Sequence, residues 1–338
     1  TAALHVALMA CGVGPGDDVI VSPYTWGQSV SPVLFTGNTP VFADIDPNTC
    51  TLDPKSIEER ISPRTKAIIP VHIFGIPADM DRICALAKKH GIAVISDAAQ
   101  AFGALSKGRN LGGLGDVACY SLGRGKAVCG GEGGVLVTDD RQIYELAIVL
   151  SQHPLRVFRE IADFGNASSN ELNWNYRIHP FAAVLALADL KTAENRIKHR
   201  RKILKTVTDG LDGIEGLHAV GPYPGDTAAA YRIPLTYTNQ SGVPRDVFVA
   251  KCQMAGIDMR IGPICIPINM RYPLWNPDEG PFAAVQNMGY ISGRCQVAES
   301  RCKTQELLLL DVASVDISPL KNVLIIVEKI KNALHRLR

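Results

Sequence analysis

Two side chains in this sequence have the types and positions that carbonyl chemistry needs. Lys126 stands in a glycine-rich run, SLGRGKAVCGGEGG, residues 121–134, and Asp97 ends the apolar stretch IAVISD. A lysine amine can form a Schiff base with an aldehyde, and a carboxylate can pair with a protonated ring nitrogen. The two residues therefore predict a site for an aldehyde that carries a pyridine ring, and pyridoxal phosphate (PLP) is a cofactor of that description.

The glycine-rich run does not match the common phosphate-binding loops. A P-loop requires GxxxxGK[ST], but Tyr120 stands at its first glycine and Ala127 at its Ser/Thr position. The dinucleotide fingerprint GxGxxG also fails, because its two partial matches have Asp17 and Val128 at the third glycine. A flexible strand connection with a surface lysine is the alternative interpretation of this run.

Several neighbouring residues could complete a cofactor site. Thr1 and Ala2 open a predicted helix, whose free N–H groups suit a phosphate, and Ser121 offers a hydroxyl. Trp26 follows a predicted strand, so its ring lies either in the core or against a planar cofactor. Gln100 could bond the phenolic oxygen of the ring or cap a helix. Asp97 itself has helix capping as its alternative role.

The elements that must position these residues alternate between strands and helices. The predicted strands are 18–23, 39–45, 65–74, 92–97, 116–122 and 133–139, and the predicted helices are 2–11, 28–37, 53–61, 79–91 and 141–153. Such alternation, with nearly continuous apolar strands, is typical of a mostly parallel sheet covered on both faces. We expect an α/β fold with three layers, α/β/α, and Lys126 at the carboxyl end of a strand, where ligands of parallel sheets bind.

The second half of the chain predicts a smaller α+β domain. Residues 178–211 have the pattern of one long helix or two in succession. Strands such as AAAYRIPLTYT and a closing amphipathic helix, LKNVLIIVEKIKNALHRL, follow. We expect a large domain over residues 1–205 and a small domain over residues 206–338. Thr1 already lies within the first helical pattern, so the large domain is expected to be truncated at its N-terminus.

Composition narrows the range of partners. The chain has 338 residues, 46% apolar and 20% charged, with a formal charge of +2, which gives no reason to expect nucleic acid. Its most basic stretch, KHRRKILK at 198–205, is predicted to be a solvated helix face. No apolar run approaches about 20 residues, so no membrane span is expected. Nine cysteines without a CxxC pair indicate a reduced, cytoplasmic chain, and the histidines show no metal spacing.

Seven segments, taken in order, resemble the DegT/StrS-type sugar aminotransferases, which are PLP-dependent transferases of fold type I. The segments are TAALHVAL, PGDDVIVSPYTW, PVFADIDPNTCTLDP, PVHIFGIPADMD, SDAAQAFGA, SLGRGKAVCGGEGG and NWNYRIHPFAAVLAL. The resemblance is dense over residues 1 to about 205 and thinner afterwards. An ordered set of motifs is far more specific than any single one.

The resemblance implies a role for each candidate residue. Lys126 would form the Schiff base and Asp97 would pair with the pyridine nitrogen. The other cofactor-binding positions would be Thr1, Ala2 and Ser121 at the phosphate, Trp26 on the ring, Gln100 near the phenolic oxygen, and Asn175 and Arg177 from a neighbouring subunit. The last two imply a homodimer with shared active sites.

The resemblance further implies an activity. The chain would be an aminotransferase that moves an amino group from an amino acid, glutamate or glutamine, to a keto-sugar or keto-cyclitol in amino-sugar, antibiotic or polysaccharide biosynthesis. Lys126 argues against the branch that has histidine there and acts as a dehydratase. A non-catalytic or regulatory PLP-binding homologue, a dehydratase and a nucleotide-dependent oxidoreductase remain as alternatives.

The sequence departs from the family pattern in two places. Leu122 to Gly125 replace the usual residues before the lysine, and Ala127 follows it. The stretch IGPICIPINMRYPLWNP, residues 261–277, lacks the usual aromatic-Pro-Leu-His. Both departures leave the acceptor substrate open.

Overall fold

A six-stranded sheet forms the centre of the first half of the chain. The computed structural model describes residues 1–161, 173–238, 242–262, 293–309 and 319–335. In these ranges the strands of the large sheet are β1 (Asp18–Val21), β2 (Thr39–Phe42), β3 (Thr65–Ile69), β4 (Ala93–Asp97), β7 (Val117–Ser121) and β8 (Gly134–Val137), and a short hairpin, β5 (Leu105–Ser106) and β6 (Arg109–Asn110), lies between β4 and β7. The order is β2-β1-β3-β4-β7-β8. All neighbours are parallel except β8, which is antiparallel to β7.

Helices follow most of these strands. They are α1 (Ala2–Ala10), α2 (Ser31–Phe35), α3 (Pro54–Arg60), α4 (Met80–His90), α5 (Arg141–Ser151), α6 (Pro154–Glu160), α7 (Pro180–Leu211), α8 (Arg245–Met254), α9 (Gln296–Ser300) and α10 (Leu320–His335). Single helical turns occur at Gly27–Ser29, Ile73–Gly75, Leu111–Gly113 and Arg301–Gln305. On the described residues, no helix is both long and apolar enough to cross a membrane.

The two faces of the large sheet are covered by different helices. Val21 of β1 packs in one buried cluster with Leu8 of α1, whereas its neighbour Ile20 packs in another with Ile57 of α3. Successive strand residues point to opposite faces, so an apolar strand buries both. The expected three-layer α/β/α architecture is confirmed.

Local capping explains where several predicted helices begin and end. The carboxylate of Asp53 accepts from the Lys55 N–H at the start of α3, and Gly91 ends α4 in the left-handed conformation at φ 64°. The helix predicted over 28–37 is wrong in part, because it divides into the turn Gly27–Ser29 and α2. Pro32 has no N–H to donate back along a continuing helix, so the helix restarts with the proline in its first turn.

A second, antiparallel sheet occupies the remainder. It contains β9 (Leu217–Ala219), β10 (Ile233–Tyr237), β11 (Met259–Arg260) and β12 (Glu306–Leu309) in the order β11-β12-β10-β9. Helices α8 and α10 pack on it with the second half of α7. The stretch at 261–277, which departs from the family pattern, lies from residue 263 onward outside the described residues.

Helix α7 joins the two sheets. It is a single helix of 32 residues rather than two. Ala193 in its first half packs with Leu122 and Val128 beside the large sheet, and Ile203 and Val207 in its second half pack under the small sheet. The helix runs through residue 205, where the sequence predicts the domain boundary. The division into residues 1–205 and 206–338 stays a prediction.

The basic stretch at 198–205 is not the uniformly solvated face that the sequence predicts. Arg200 is only 1% exposed. Arg201 donates to the backbone carbonyls of Ala228 and Gly103. The helical period explains the burial, since Arg200 falls on the same stripe as Ile197 and Ile203.

Candidate active site

Asp97 is a buried carboxylate at the carboxyl end of β4. It is 6% exposed, and its position in the parallel ladder is opposite Cys119 of β7. One oxygen accepts from the Ser29 hydroxyl at 2.7 Å and the other from the Ala99 N–H at 3.1 Å. Within the described ranges no basic side chain pairs with it. A buried anion without a cation is costly, so this end of the sheet suits a positively charged ligand group.

The hydroxyl groups that hold Asp97 were not anticipated from the sequence. The Thr25 and Ser29 hydroxyls lie 2.8 Å apart, and both side chains are buried. Ser29 gives its only hydroxyl proton to the carboxylate, so Thr25 must donate to Ser29. The available signal was the spacing of four residues between the two, which brings them together around the turn at Gly27–Ser29.

Lys126 lies beyond β7, in the loop that leads to β8. It is half-buried, and its ammonium Nζ lies 4.5 Å from the centre of the Tyr231 ring, a cation–π contact. On the described part of the chain this ammonium has no carboxylate partner. The amine is therefore not a fully exposed surface charge, because it contacts a buried aromatic ring.

Helix α7 clamps the loop on either side of the amine. The Cys129 N–H donates to Asp189 at 2.7 Å, while Arg196 donates to the Ala127 carbonyl at 2.9 Å and to Asp189 at 2.8 Å. A Cβ at Gly130 would lie 2.6 Å from the Ala182 carbonyl oxygen, so only glycine allows this approach. Asp189 and Arg196 are positioning residues that sequence reasoning missed, since they lie some 60 residues after the loop.

Two backbone segments beside Lys126, one around Phe74 and one around Tyr231, are hydrogen-bonded to each other. The Tyr231 N–H donates to the Phe74 carbonyl at 3.0 Å, and the Ala229 N–H to the Gly75 carbonyl at 2.8 Å. Phe74 and Ala230 both have positive φ, at 58° and 54°, although neither is glycine. Strained backbone of this kind concentrates at functional sites.

The side chain of Gln100 is hydrogen-bonded to the Phe74 segment. Its side-chain oxygen accepts from the Phe74 N–H at 2.7 Å. The amide therefore has a fixed orientation that leaves its NH₂ group as the donor to a ligand oxygen. This arrangement is compatible with the predicted contact to a phenolic oxygen, but the glutamine also has a structural role that the sequence did not reveal.

The predicted phosphate-binding residues meet at one edge. Ser121 ends β7 opposite Gly134, and its hydroxyl accepts from the Gly123 N–H at 3.2 Å. A Cβ at Gly134 would lie 3.4 Å from Ala3, so the start of α1 is adjacent. Thr1 and Ala2 are exposed there. The structure thus brings a helix N-terminus and a serine hydroxyl together, as an anion site requires.

Three predicted residues, Trp26, Asn175 and Arg177, are exposed side chains. Trp26 is 41% exposed at the start of the Gly27–Ser29 turn. Asn175 and Arg177 are exposed on the segment before α7, and no described contact joins either of them to Asp97 or Lys126. Tyr176 between them forms a 2.9 Å hydrogen bond with His5 of α1, which fixes this segment on the large domain.

His72 is a fully buried group behind the site. Its backbone N–H donates to the Asp97 carbonyl at 3.1 Å, and its ring Nδ1 accepts from the Ala78 N–H at 3.0 Å. Burial lowers the pKa of His72 to about 3. The ring is neutral with its proton on Nε2, so it does not supply a cation to Asp97.

Asp97 and Lys126 together fit PLP. Among the residues that the structure describes, no cation pairs with the buried carboxylate and no anion with the half-buried ammonium, and both groups lie towards the carboxyl ends of parallel strands. A pyridine ring with a protonated nitrogen at one side and an aldehyde at the other would satisfy both groups. Ser121 and the start of α1 would be the groups available to hold an anionic substituent of the ring.

The architecture is that of fold type I of the PLP-dependent aminotransferases. DesV from S. venezuelae, solved in complex with a ketimine intermediate, superposes with a TM-score of 0.81 at 30% identity, covering 97% of this chain and 81% of that chain. The DegT/DnrJ/EryC1/StrS aminotransferase family matches residues 1–280. The chain belongs to this family.

Two relatives of known name are similar over the first part of the chain. Spore coat polysaccharide biosynthesis protein SpsC of Bacillus subtilis (strain 168) is 40% identical over 226 residues, which are 64% of this chain and 57% of the relative. GDP-perosamine synthase of Escherichia coli O157:H7 is 36% identical over 218 residues, 64% of this chain and 58% of the relative. The matched region therefore spans somewhat more than half the length of these relatives.

Proposed function

We propose that this protein is a PLP-dependent aminotransferase that moves an amino group from glutamate or glutamine to a keto-sugar or keto-cyclitol. The observation that carries the proposal is the complementary pair at the sheet edge, a buried Asp97 and a half-buried Lys126, neither of which has an oppositely charged partner in the described ranges. Membership of the aminotransferase family supports it.

PLP, when bound, would supply an electron sink that stabilises negative charge on the substrate carbon. Asp97 would hold a proton on the ring nitrogen, and Ser29 would fix the carboxylate for that purpose. Lys126 would hold the aldehyde carbon through Nζ. Once an incoming amine has replaced it, the same Nζ would move a proton from the α-carbon of the amino acid. The Tyr231 ring keeps this amine beside the site.

The acceptor is assigned from the relatives' names. GDP-perosamine synthase and a spore coat polysaccharide biosynthesis protein both favour a keto-sugar, and the first favours a sugar carried by a nucleotide. We place the reaction in the cytoplasm. This is supported by the eight cysteines that the structure describes, none of which forms a disulfide.

We further propose a homodimer with shared active sites. Helix α7 exposes a row of apolar side chains, among them Phe181 at 76% and Val184 and Leu187 at 63% each. A patch of this kind typically marks a protein interface. Its position supports sharing of the site, because the same stretch of α7 packs on the Lys126 loop through Ala182 and Gly130. Asn175 and Arg177 would then reach the partner's cofactor phosphate.

The test is a half-reaction. The purified protein is loaded with PLP, and the Lys126-dependent absorbance at about 420 nm is followed as glutamate or glutamine is added. We expect the band to disappear as pyridoxamine phosphate forms, and to return when a suitable keto-sugar is supplied. Lys126→Ala should lose the band, whereas Lys66→Ala, at an exposed lysine of β3, should keep it.

Each alternative gives a different result. A non-catalytic homologue would bind PLP but form no pyridoxamine phosphate with any amino donor. A dehydratase would consume the sugar without incorporating nitrogen from the donor. An oxidoreductase would bind NADH in a direct titration and show no Lys126-dependent band.

A further inference from the structure

Arg232, next to the aromatic residue that holds Lys126, has no role in the site described so far. We propose that Arg232 binds the α-carboxylate of the amino-acid donor. The proposal rests on the proposed transamination and adds to it the residue that recognises the donor.

Arg232 shares an aromatic ring with Lys126. Its guanidinium carbon lies 5.7 Å from the centre of the Tyr231 ring, and the Lys126 ammonium lies 4.5 Å from the same centre. The two cations are therefore no farther apart than the sum of these distances. Arg232 is half-buried, and no described carboxylate pairs with it. Two cations in contact with one ring make the local potential positive, so this part of the protein favours a negatively charged ligand.

The backbone is shaped to bring the guanidinium to this ring. Consecutive residues of a strand point to opposite faces, which would separate Tyr231 from Arg232. The two instead lie in a bend before β10 begins at Ile233, directly after the left-handed Ala230. Ala230 is only 1% exposed, so its strained conformation is enforced by the surrounding structure.

The bend is fixed from two sides. Hydrogen bonds join Ala229 to Gly75 and Tyr231 to Phe74. Arg201 of α7 donates to the Ala228 carbonyl at 3.0 Å. A guanidinium on a segment held in this way is positioned in advance, which lowers the entropy cost of binding a ligand.

The α-carboxylate is the anion that this position suits. In an amino acid the carboxylate and the amine share one carbon, so a donor whose amine replaces the Lys126 amine must place its carboxylate close to that point. The planar guanidinium binds a carboxylate through two parallel hydrogen bonds. Arg196 and Arg201 donate to backbone carbonyls, whereas Arg232 contacts the Tyr231 ring and, in the described ranges, has no carboxylate partner.

The experiment measures binding rather than turnover. The PLP-loaded protein is titrated with 2-methylalanine, which has an α-carboxylate but no α-hydrogen, and with isopropylamine, which has neither carboxylate nor amino-acid character. The readout is the change in the cofactor's visible spectrum. We expect Arg232→Met to weaken the binding of 2-methylalanine about 10- to 100-fold and to leave isopropylamine unchanged. Arg232→Lys should restore part of the loss.

Arg124→Met is the matched control, since Arg124 is an exposed arginine two residues before Lys126. It should bind 2-methylalanine as the native protein does, and the PLP affinity of all variants should be equal. A similar loss in Arg124→Met and Arg232→Met would reduce the effect to net charge and overturn the proposal. An unchanged 2-methylalanine affinity in a folded Arg232→Met protein would do the same.

Two further titrations distinguish the donor carboxylate from the phosphates that Arg232 could bind instead. Inorganic pyrophosphate is titrated as a competitor; if its affinity, and not that of 2-methylalanine, depends on Arg232, the arginine recognises a phosphate of the acceptor and the proposal is wrong. A fall in PLP affinity would assign Arg232 to the cofactor instead. Failure of the proposed function is distinct, because the native protein would then show no Lys126-dependent band before any titration.

Discussion

At the scale of single residues, the main feature is the short chain of hydroxyl groups that supports Asp97. Ser29 is buried at 2% exposure and has two polar contacts, to Asp97 at 2.7 Å and to Thr25 at 2.8 Å. A buried carboxylate depends strongly on each hydrogen bond that it accepts, because water is absent to replace it. The two hydroxyls therefore affect the stability of the cofactor-free protein and the orientation of the Asp97 carboxylate, which would hold the cofactor ring.

We predict that Ser29→Ala lowers the free energy of unfolding of the cofactor-free protein by about 1–3 kcal/mol. Thr25→Val, which removes only the outer hydroxyl, should cost less. Urea unfolding followed by circular dichroism measures both. Equal stability of Ser29→Ala and the native protein would contradict the contribution assigned to this hydrogen bond.

His72 gives the site a predictable response to acid. Its pKa is lowered from 6.5 to about 3 in the folded protein by burial, so between these values the unfolded chain binds a proton that the folded chain does not. The free energy of unfolding should therefore fall as the pH drops below about 6.5, by up to about 1.4 kcal/mol per pH unit from this residue. Denaturant unfolding between pH 7 and 4 tests this expectation.

The comparison for that experiment is His72→Asn, whose side-chain oxygen can still accept from the Ala78 N–H but does not titrate. Its loss of stability with falling pH should be shallower than that of the native protein. Parallel slopes for the two proteins would rule out His72 as the source.

Some residues of the candidate site could be proposed from the sequence, and others could not. Lys126 and Asp97 could be proposed from the sequence, because Asp97 ends an apolar strand and Lys126 stands in a glycine-rich run after another strand. Ser29 was not, since its partner is 68 positions away in the sequence and only the fold makes them neighbours. Tyr231 and Arg232 were missed for the same reason, because they approach Lys126 through a bend in the second half of the chain.

At the scale of elements, α7 determines the shape of the Lys126 loop. Asp189 accepts the Cys129 N–H, and Arg196 bonds both Asp189 and the Ala127 carbonyl. These partly buried groups are about a quarter exposed, so solvent weakens but does not remove their attraction. The loop contains many glycines and has little conformational preference of its own.

We predict that Asp189→Ala loosens this loop without unfolding α7. The Cys129 amide should exchange with deuterium faster, and the affinity for PLP should fall about tenfold, since the Lys126 amine loses its fixed position. Hydrogen-exchange mass spectrometry over residues 121–134 measures the first effect and spectral titration the second.

The control for this variant is Glu194→Ala. Glu194 forms an exposed ion pair with Lys198 on the same helix. Glu194→Ala removes a charge of the same sign from α7 but touches no loop residue, and it should leave exchange and affinity unchanged. Native exchange rates in Asp189→Ala would show that the clamp does not restrain the loop.

The bounds of the helices and strands show where the sequence pattern and the structure agree and where they differ. The strands at 18–21 and 93–97 follow directly from apolar runs, and the start of α3 follows from Asp53 and Pro54. The helix predicted over 28–37 failed because Pro32 interrupts its hydrogen bonding. The prediction that residues 198–205 form a solvated face was wrong because it considered only their charge. Arg200 falls on the apolar stripe of the helix and is buried.

At the scale of the whole molecule, the first half of α7 presents apolar side chains to solvent while its inner face supports the site. We predict that Phe181→Asp converts the proposed dimer to a monomer, because it would place a charge in the centre of an apolar interface. Met254→Asp is the control, at a side chain that is 88% exposed on α8. Sedimentation equilibrium should show a monomer for the first variant and a dimer for the second.

The dimer variant also tests whether sites are shared. If Asn175 and Arg177 bind the phosphate of the partner's cofactor, the Phe181→Asp monomer should bind PLP more weakly than Met254→Asp does. A native protein that sediments as a monomer, or a monomeric variant with native PLP affinity, would contradict the shared site.

Helix α7 is hydrogen-bonded both to the Lys126 loop and to the segment that carries Tyr231 and Arg232. Arg196 holds the loop that carries the amine, and Arg201, five residues farther along the same helix, holds the segment that carries Tyr231 and Arg232. Because both anchors belong to a single helix, the distance between the Lys126 nitrogen proposed to bind the cofactor and the guanidinium proposed to bind the donor carboxylate depends on the geometry of that helix. A kink introduced between these two arginines would alter that spacing and so change which donors are accepted, even though no residue touching a substrate had been replaced.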